Sequence, residues 1–216
     1  MRDRVFVSYR KTDASEVAGR IADRLKHHLG EQRVFFDTSD IRIGDGWSPA
    51  IDDALANASV VVVVIGPNWL DGRTPDGRRR LDLPKDVVRR EIETALDEDS
   101  VSVIPVTVDG AATPRAADLP LSMANLAATQ GGKVRWDQLA HASFDDDIER
   151  LMRDVSRLLA ERRGPSHGNW RTLQPQRRLS RLAEIARSLL SNPEVPPTIT
   201  RRLAPDTFLR QDPNQD

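Results

Sequence analysis

The stretch SVVVVVIG, Ser59 to Gly66, decides the fold. Its valines and isoleucine run without a polar break, so they do not alternate between a wet face and a dry one. β-Branched residues in series favour an extended strand. An uninterrupted apolar strand is what a central parallel strand looks like when helices cover both of its faces. The run is far too short to span a bilayer. The neighbouring sequence must therefore supply the helices.

It does so on both sides. RVFVSY, Arg4 to Tyr9, reads as a first strand. Asp13 and Glu16 resemble a capping box, and Val17, Ile21, Leu25 and Leu29 follow at four-residue spacing up to Gly30. RVFFD, Arg33 to Asp37, is a second strand, followed by the polar loop TSDIRIGDGW. Ser48-Pro49 has the chemistry of a helix start, with Ile51, Ala54 and Leu55 on one face. After the central strand comes a long polar loop, then the helical stretch DVVRREIETAL (Asp86 to Leu96) and a fourth strand, SVIPVTVDG. Residues 111–139 are irregular, with KVRW as a weak fifth strand. Ile148, Leu151, Met152, Val155, Leu158 and Leu159 mark a closing helix. Strands alternating with helices predict an α/β fold with a doubly wound parallel sheet. Its ligand crevice should lie outside the carboxyl ends of the strands.

From Gly164 the composition changes to proline-rich and polar, with a small excess of arginine and one helical pattern around Leu179 to Leu190. The expected division is residues 1–163 as the domain and 164–216 as a linker with a partly helical, partly disordered extension. That extension could dock a protein partner or belong to a sensor module; scattered arginines alone do not argue for nucleic acid.

Composition narrows the chemistry. The chain has 216 residues, 38% of them hydrophobic, which is enough for a real core. A net charge of −1 selects no partner. The absence of cysteine excludes disulfide scaffolds, thiol nucleophiles and thiolate metal sites. The four histidines show no HExxH-type spacing, so no metal is expected. MRDRVFVSY lacks the apolar stretch of a signal peptide, and a cytoplasmic protein without a membrane segment is expected. After the first strand, SYRKTD carries neither GxGxxG nor a P-loop, and no GxSxG elbow occurs.

One carboxylate stands out. At about 100° per residue, Val87, Val88, Ile92, Ala95 and Leu96 share one arc of the Asp86–Leu96 helix. Glu93 projects away from that arc, whereas Glu91 falls inside it. A carboxylate pressed against apolar neighbours is held at a cost that an active site can justify.

Three motifs, in order, are similar to those of a known family. VFVSYRKTD resembles the opening strand-and-loop box of TIR domains of the kind widespread in bacteria, with its Ser-Tyr pair. RVFFDTSDIRIGDGW is similar to the second strand and the BB loop with its glycine. VVVVIGPNWLD followed by DVVRREIETAL resembles the third strand and the helix that bears the family's glutamate. The resemblance implies a flavodoxin-like fold and one of two roles. Some members assemble signalling complexes through the BB loop; others cleave NAD+ between nicotinamide and ribose, to ADP-ribose or a cyclic variant. For an enzyme it implies Glu91 as the catalytic residue and NAD+ as substrate, with no cofactor. Self-association through TIR–TIR contacts, in bacterial antiphage defence or toxic signalling, would then switch the activity on.

The same resemblance marks Ser8, Tyr9 and Arg10 as residues that could meet the ribose or phosphate. It places Asp37, Ile43, Gly44 and Asp45 in the loop that gates the cleft. Trp47 or Trp69 could stack on a ring of the substrate. Val87 stands where members commonly carry a tryptophan, and Trp69 is the expected substitute.

Plainer readings stand beside these. Glu91 could pair with an arginine of the run Arg78 to Arg80, itself read as a solvated loop. Ser8 could satisfy backbone, Tyr9 could be core, and Trp47 or Trp69 could simply pack under a loop. Two other functions compete with NAD+ cleavage: a non-enzymatic interaction module, and an enzyme of the nucleoside deoxyribosyltransferase type, which shares a similar fold and carboxylate.

Overall fold

The structure is a computed structural model in which residues 3–36, 49–136 and 141–163 are described; for residues 49, 50, 141, 142, 162 and 163 this covers the backbone only. Asp37, Ile43, Gly44, Asp45 and Trp47 lie outside the described residues, as does the predicted tail helix.

Five parallel strands form one sheet in the order β2-β1-β3-β4-β5. They are β1 (Arg4–Tyr9), β2 (Val34–Phe35), β3 (Ala58–Ile65), β4 (Ser102–Val108) and β5 (Gly132–Val134). The valine run sits in the middle as β3, with all eight residues buried. It pairs with β1 through Val5↔Val60, Val7↔Val62 and Tyr9↔Val64, and with β4 on its other side. This doubly wound α/β arrangement is the one its unbroken hydrophobicity predicts.

Strand alternation divides the core in two. Val5, Val7, Val60, Val62, Val64, Ile104 and Val106 face α1 (Lys11–Leu29) and α5 (His141–Arg163). Phe6, Val61, Val63, Ile65 and Val103 face α2 (Pro49–Ala56) and α3 (Val87–Asp97). Each such side chain contributes about 1.5–3 kcal/mol on leaving water.

The second strand begins one residue later than predicted, at Val34, because Arg33 belongs to the 3₁₀ turn Glu31–Arg33; its guanidinium reaches back to the Asp3 carbonyl at 3.1–3.2 Å. The irregular stretch before β5 contains two 3₁₀ turns, Ala116–Asp118 and Leu121–Met123, and the short helix α4 (Asn125–Ala128). Behind β5, Asp147 of α5 accepts from the backbone N–H of Arg135 at 3.0 Å and from its guanidinium at 2.8 and 3.0 Å. That arginine holds the Asp147 carboxyl below its ordinary range.

Helix α1 departs from expectation at its start. Asp13 is not its cap: Arg10 holds the cap position without a side-chain bond, and the helix is kinked at Ala14. The Asp13 carboxylate instead accepts the backbone N–H of Asn68 at 2.8 Å, in the loop after β3. It lies directly over Gly66, where a Cβ would collide with the carboxylate. Gly66→Ala is therefore expected to destabilise the protein by about 1–3 kcal/mol through overpacking, measurable as a lowered denaturant midpoint.

Candidate active site

The carboxyl ends of β1 and β3 and the start of α3 meet on the α2/α3 side of the sheet. β1 sends alternate side chains to opposite faces, so Phe6, Ser8 and Arg10 point one way and Val7 and Tyr9 the other. Ser8 and Arg10 thus face α3, and Tyr9 does not. Tyr9 stacks on Phe36 at 4.8 Å between ring centroids, packed against the α1/α5 core. Strand alternation thus puts Tyr9 on the opposite side of the sheet from Glu91.

Helix α3 is capped by Asp86, whose Oδ1 accepts the Arg89 backbone N–H at 3.1 Å. Its buried face carries Val88, Glu91, Ile92 and Ala95. Glu91 is therefore where the periodicity puts it, among apolar side chains and only 7% exposed. Ser8 Oγ donates to Glu91 Oε2 at 2.6 Å, a distance typical of a hydroxyl donating to a carboxylate. At 1% exposure Ser8 is shielded, and it orients the carboxylate from within the fold. In that shielded setting a fixed negative charge acts on a nearby developing cation far more strongly than it would in water.

Arg10 is equally buried. It forms a two-pronged pair with Asp86, Nη1 to Oδ2 and Nη2 to Oδ1, both at 3.1 Å. The two side chains are 3% and 4% exposed. Arg10 is thus engaged inside the protein, paired with Asp86. The partner, Asp86, is the site residue that sequence reasoning missed. Its helix-capping character was visible as an acid just before an apolar-periodic stretch, but its pairing with a residue 76 positions away was not.

Trp69, the expected stacking residue, lies in the core. It is fully buried among Phe6, Ile51, Leu81, Val88 and Ile92. Its ring faces are occupied by core, because the loop after β3 turns back at Gly66, where Trp69 N–H bonds the Gly66 carbonyl at 3.2 Å. Val87 is half-buried against the same cluster. No ring among the described residues is thereby identified to replace the missing tryptophan at position 87.

Glu93 and two residues of the arginine run make specific contacts. Arg78 Nε bonds Asp76 at 2.6 Å, and Arg79 Nε donates to the Leu70 carbonyl at 2.7 Å and its Nη2 to the Asp118 carbonyl. Arg80 Nη1 lies 3.9 Å from Asp86. Arg79 and Arg80 are thereby pinned, while Arg78 stays 67% exposed, as a solvated run would be. Glu93 accepts Arg89 Nε at 2.7 Å and the Ser122 hydroxyl, so it ties α3 to the segment before α4.

At the rim, Asp109 follows β4 with a positive φ of 53°. Its carboxyl is pushed above the ordinary range, first by desolvation and then by the charges of Asp13 and Glu16. A raised folded-state value means that ionisation at neutral pH works against the fold. Asp109→Asn keeps the shape and tolerates positive φ. It is expected to melt above the parent at pH 7, with the gap closing as pH falls through the raised value; melting curves across pH check it.

Among the described residues no cluster of three or more histidines or carboxylates is placed to hold a metal ion. No helix among them is long and apolar enough to cross a membrane.

A family model described as TIR domain matches residues 5–152. Among solved structures, the chain is similar to the TIR domains of the activated Roq1 resistosome directly recognizing the pathogen effector XopQ. The identity is 14% and the TM-score 0.49, over 70% of this chain and 98% of that one. It is also similar to a metazoan TIR-STING receptor from C. gigas in complex with 2',3'-cGAMP, at 19% identity and a TM-score of 0.45. That match covers 72% of this chain but only 38% of the receptor. No curated protein matches the chain.

Proposed function

The chain belongs to the TIR-domain family, and on that premise we propose that it is an NAD+ glycohydrolase acting through Glu91. The single observation that carries this reading is the Glu91 carboxylate, held by Ser8 at 2.6 Å in an apolar, nearly closed setting beside the carboxyl ends of the strands.

The chemistry suits one carboxylate. The bond between ribose C1′ and the nicotinamide nitrogen breaks, and nicotinamide leaves with the electron pair as a neutral base. Little acid help is needed, in contrast to the paired carboxylates of most glycosidases. The ribose gains oxocarbenium-like positive charge, which a fixed anion in a water-poor cleft stabilises. Water then adds to C1′ and releases a proton, giving ADP-ribose, or an internal nucleophile closes a cyclic product. Ser8 keeps the carboxylate aimed throughout. Self-association through TIR–TIR contacts would supply the switch, in defence or toxic signalling.

The concentrated 216-residue chain is expected to release nicotinamide from NAD+, and Glu91→Ala is not. Parent-level cleavage by Glu91→Ala sinks the reading. Base exchange on free nucleosides, without NAD+ cleavage, would point instead to the deoxyribosyltransferase chemistry.

A second reading, a non-enzymatic assembly module, is favoured by Val87 at the usual tryptophan position and by the closure of Trp69 in the core. It predicts that substitutions at Ile43 or Gly44 abolish assembly while Glu91→Gln preserves function.

A further inference from the structure

We propose that the Arg10–Asp86 ion pair is the positioning device of this site, locking the start of α3 to the end of β1 so that Glu91 is held for catalysis. The proposal rests on the reading of Glu91 as the catalytic carboxylate. It assigns Arg10 no contact with substrate.

The pair is placed where position matters most. Arg10 directly follows β1, and its carbonyl accepts the Asp13 and Ala14 N–H groups at 2.9 and 3.1 Å, starting α1. Asp86 caps α3. One ion pair therefore ties together two helix starts and a strand end. Ser8 and Arg10 leave the same face of β1, about 6.6 Å apart along the strand. Asp86 and Glu91 are separated by about 7.5 Å of rise along the helix axis. Ser8–Glu91 and Arg10–Asp86 are thus two contacts between the end of β1 and the first turns of α3.

Energetics support a role beyond holding the fold together. Burying two charges costs several kcal/mol per ion, and a well-packed apolar pair stabilises a fold as well or better. What the ionic pair adds is direction, because a two-pronged guanidinium–carboxylate contact tolerates little rotation. The surroundings are shaped to it. A Cβ on Gly72 would come within 3.1 Å of Arg10 Cδ and 3.3 Å of its Nε. The Gly72 carbonyl accepts Arg80 N–H at 2.8 Å, folding that loop over the pair, and Arg80 Nη1 stands 3.9 Å from Asp86.

The decisive variant is Asp86→Asn, since asparagine caps a helix about as well as aspartate but cannot complete the ion pair. Arg10→Lys keeps the charge and loses the fork. In an active parent, both variants should lower kcat by about 10- to 100-fold, the scale of a 1 Å misplacement, with KM within about twofold. The double variant should be no worse than the poorer single one, as expected for two halves of one unit. If Arg10→Lys raises KM alone while Asp86→Asn changes neither constant, Arg10 binds substrate and the proposal fails. It fails equally if Asp86→Asn lowers the melting temperature but leaves kcat of the folded protein intact. Should the parent release no nicotinamide, the proposed activity falls by itself, and amide hydrogen exchange decides the positioning claim. Faster exchange over Val88–Ile92 in both variants, with β1 and β3 unchanged, supports it; unchanged protection overturns it.

Discussion

Replacing Glu91 with Gln is expected to cut nicotinamide release by about 10²–10³-fold with little change in KM. Glutamine has the same shape, and its carbonyl oxygen can still accept from Ser8 Oγ, which now lies 2.6 Å from Oε2. The substitution therefore removes the negative charge and leaves the packing. That charge acts on the cationic ribose only as the glycosidic bond breaks, so its loss should appear in kcat and not in substrate binding. The folded protein should stay intact, because the side-chain shape and the Ser8 hydrogen bond are kept. Steady-state kinetics and a melting curve on the same sample separate the two effects. A variant that melts normally and cleaves at the parent rate would falsify the catalytic role.

The largest expected effect on stability comes from Trp69→Ala. The indole is fully buried in the core beneath α3, and truncating a buried aromatic costs about 3–5 kcal/mol. For a protein of this size that corresponds to a fall in Tm of roughly 6–20 °C. Trp69→Phe should cost much less, since the indole N–H has no hydrogen-bond partner among the described residues and the ring serves mainly as volume. If Trp69 were a stacking residue for substrate, the pattern would invert: stability would hold and KM would rise. Thermal denaturation of the two variants distinguishes the roles without any assumption about activity.

These two positions also show how far sequence reading reaches. Sequence singles out both residues, and the structure buries both, Glu91 on the α3 face that its periodicity assigns and Trp69 in the core. Glu91 was legible because the helix period is a property of the local backbone, and Val88, Ile92 and Ala95 sit around it whatever the rest of the chain does. Trp69 stands in a loop, where no period applies, and its destination depended on how that loop returned at Gly66. Tyr9 and Ser8 fall between these cases. Strand alternation puts them on opposite faces, but which face meets α3 is settled only by the sheet's winding.

Sequence by itself determined the layered architecture. The valine run from Val60 to Val64 demands cover on both faces, the apolar spacings on either side supply it, and right-handed parallel connections leave few other topologies. It also determined that one α3 carboxylate is buried. Only the tertiary structure decided what that carboxylate touches. Ser8 and Glu91 are 83 residues apart, Arg10 and Asp86 76, and Glu93 and Ser122 29. Hydrophobic periodicity acts over one or two turns of chain and carries no information about polar partners across such distances. Those partners are chosen when the sheet closes and the desolvated donors and acceptors at its carboxyl end must be paired.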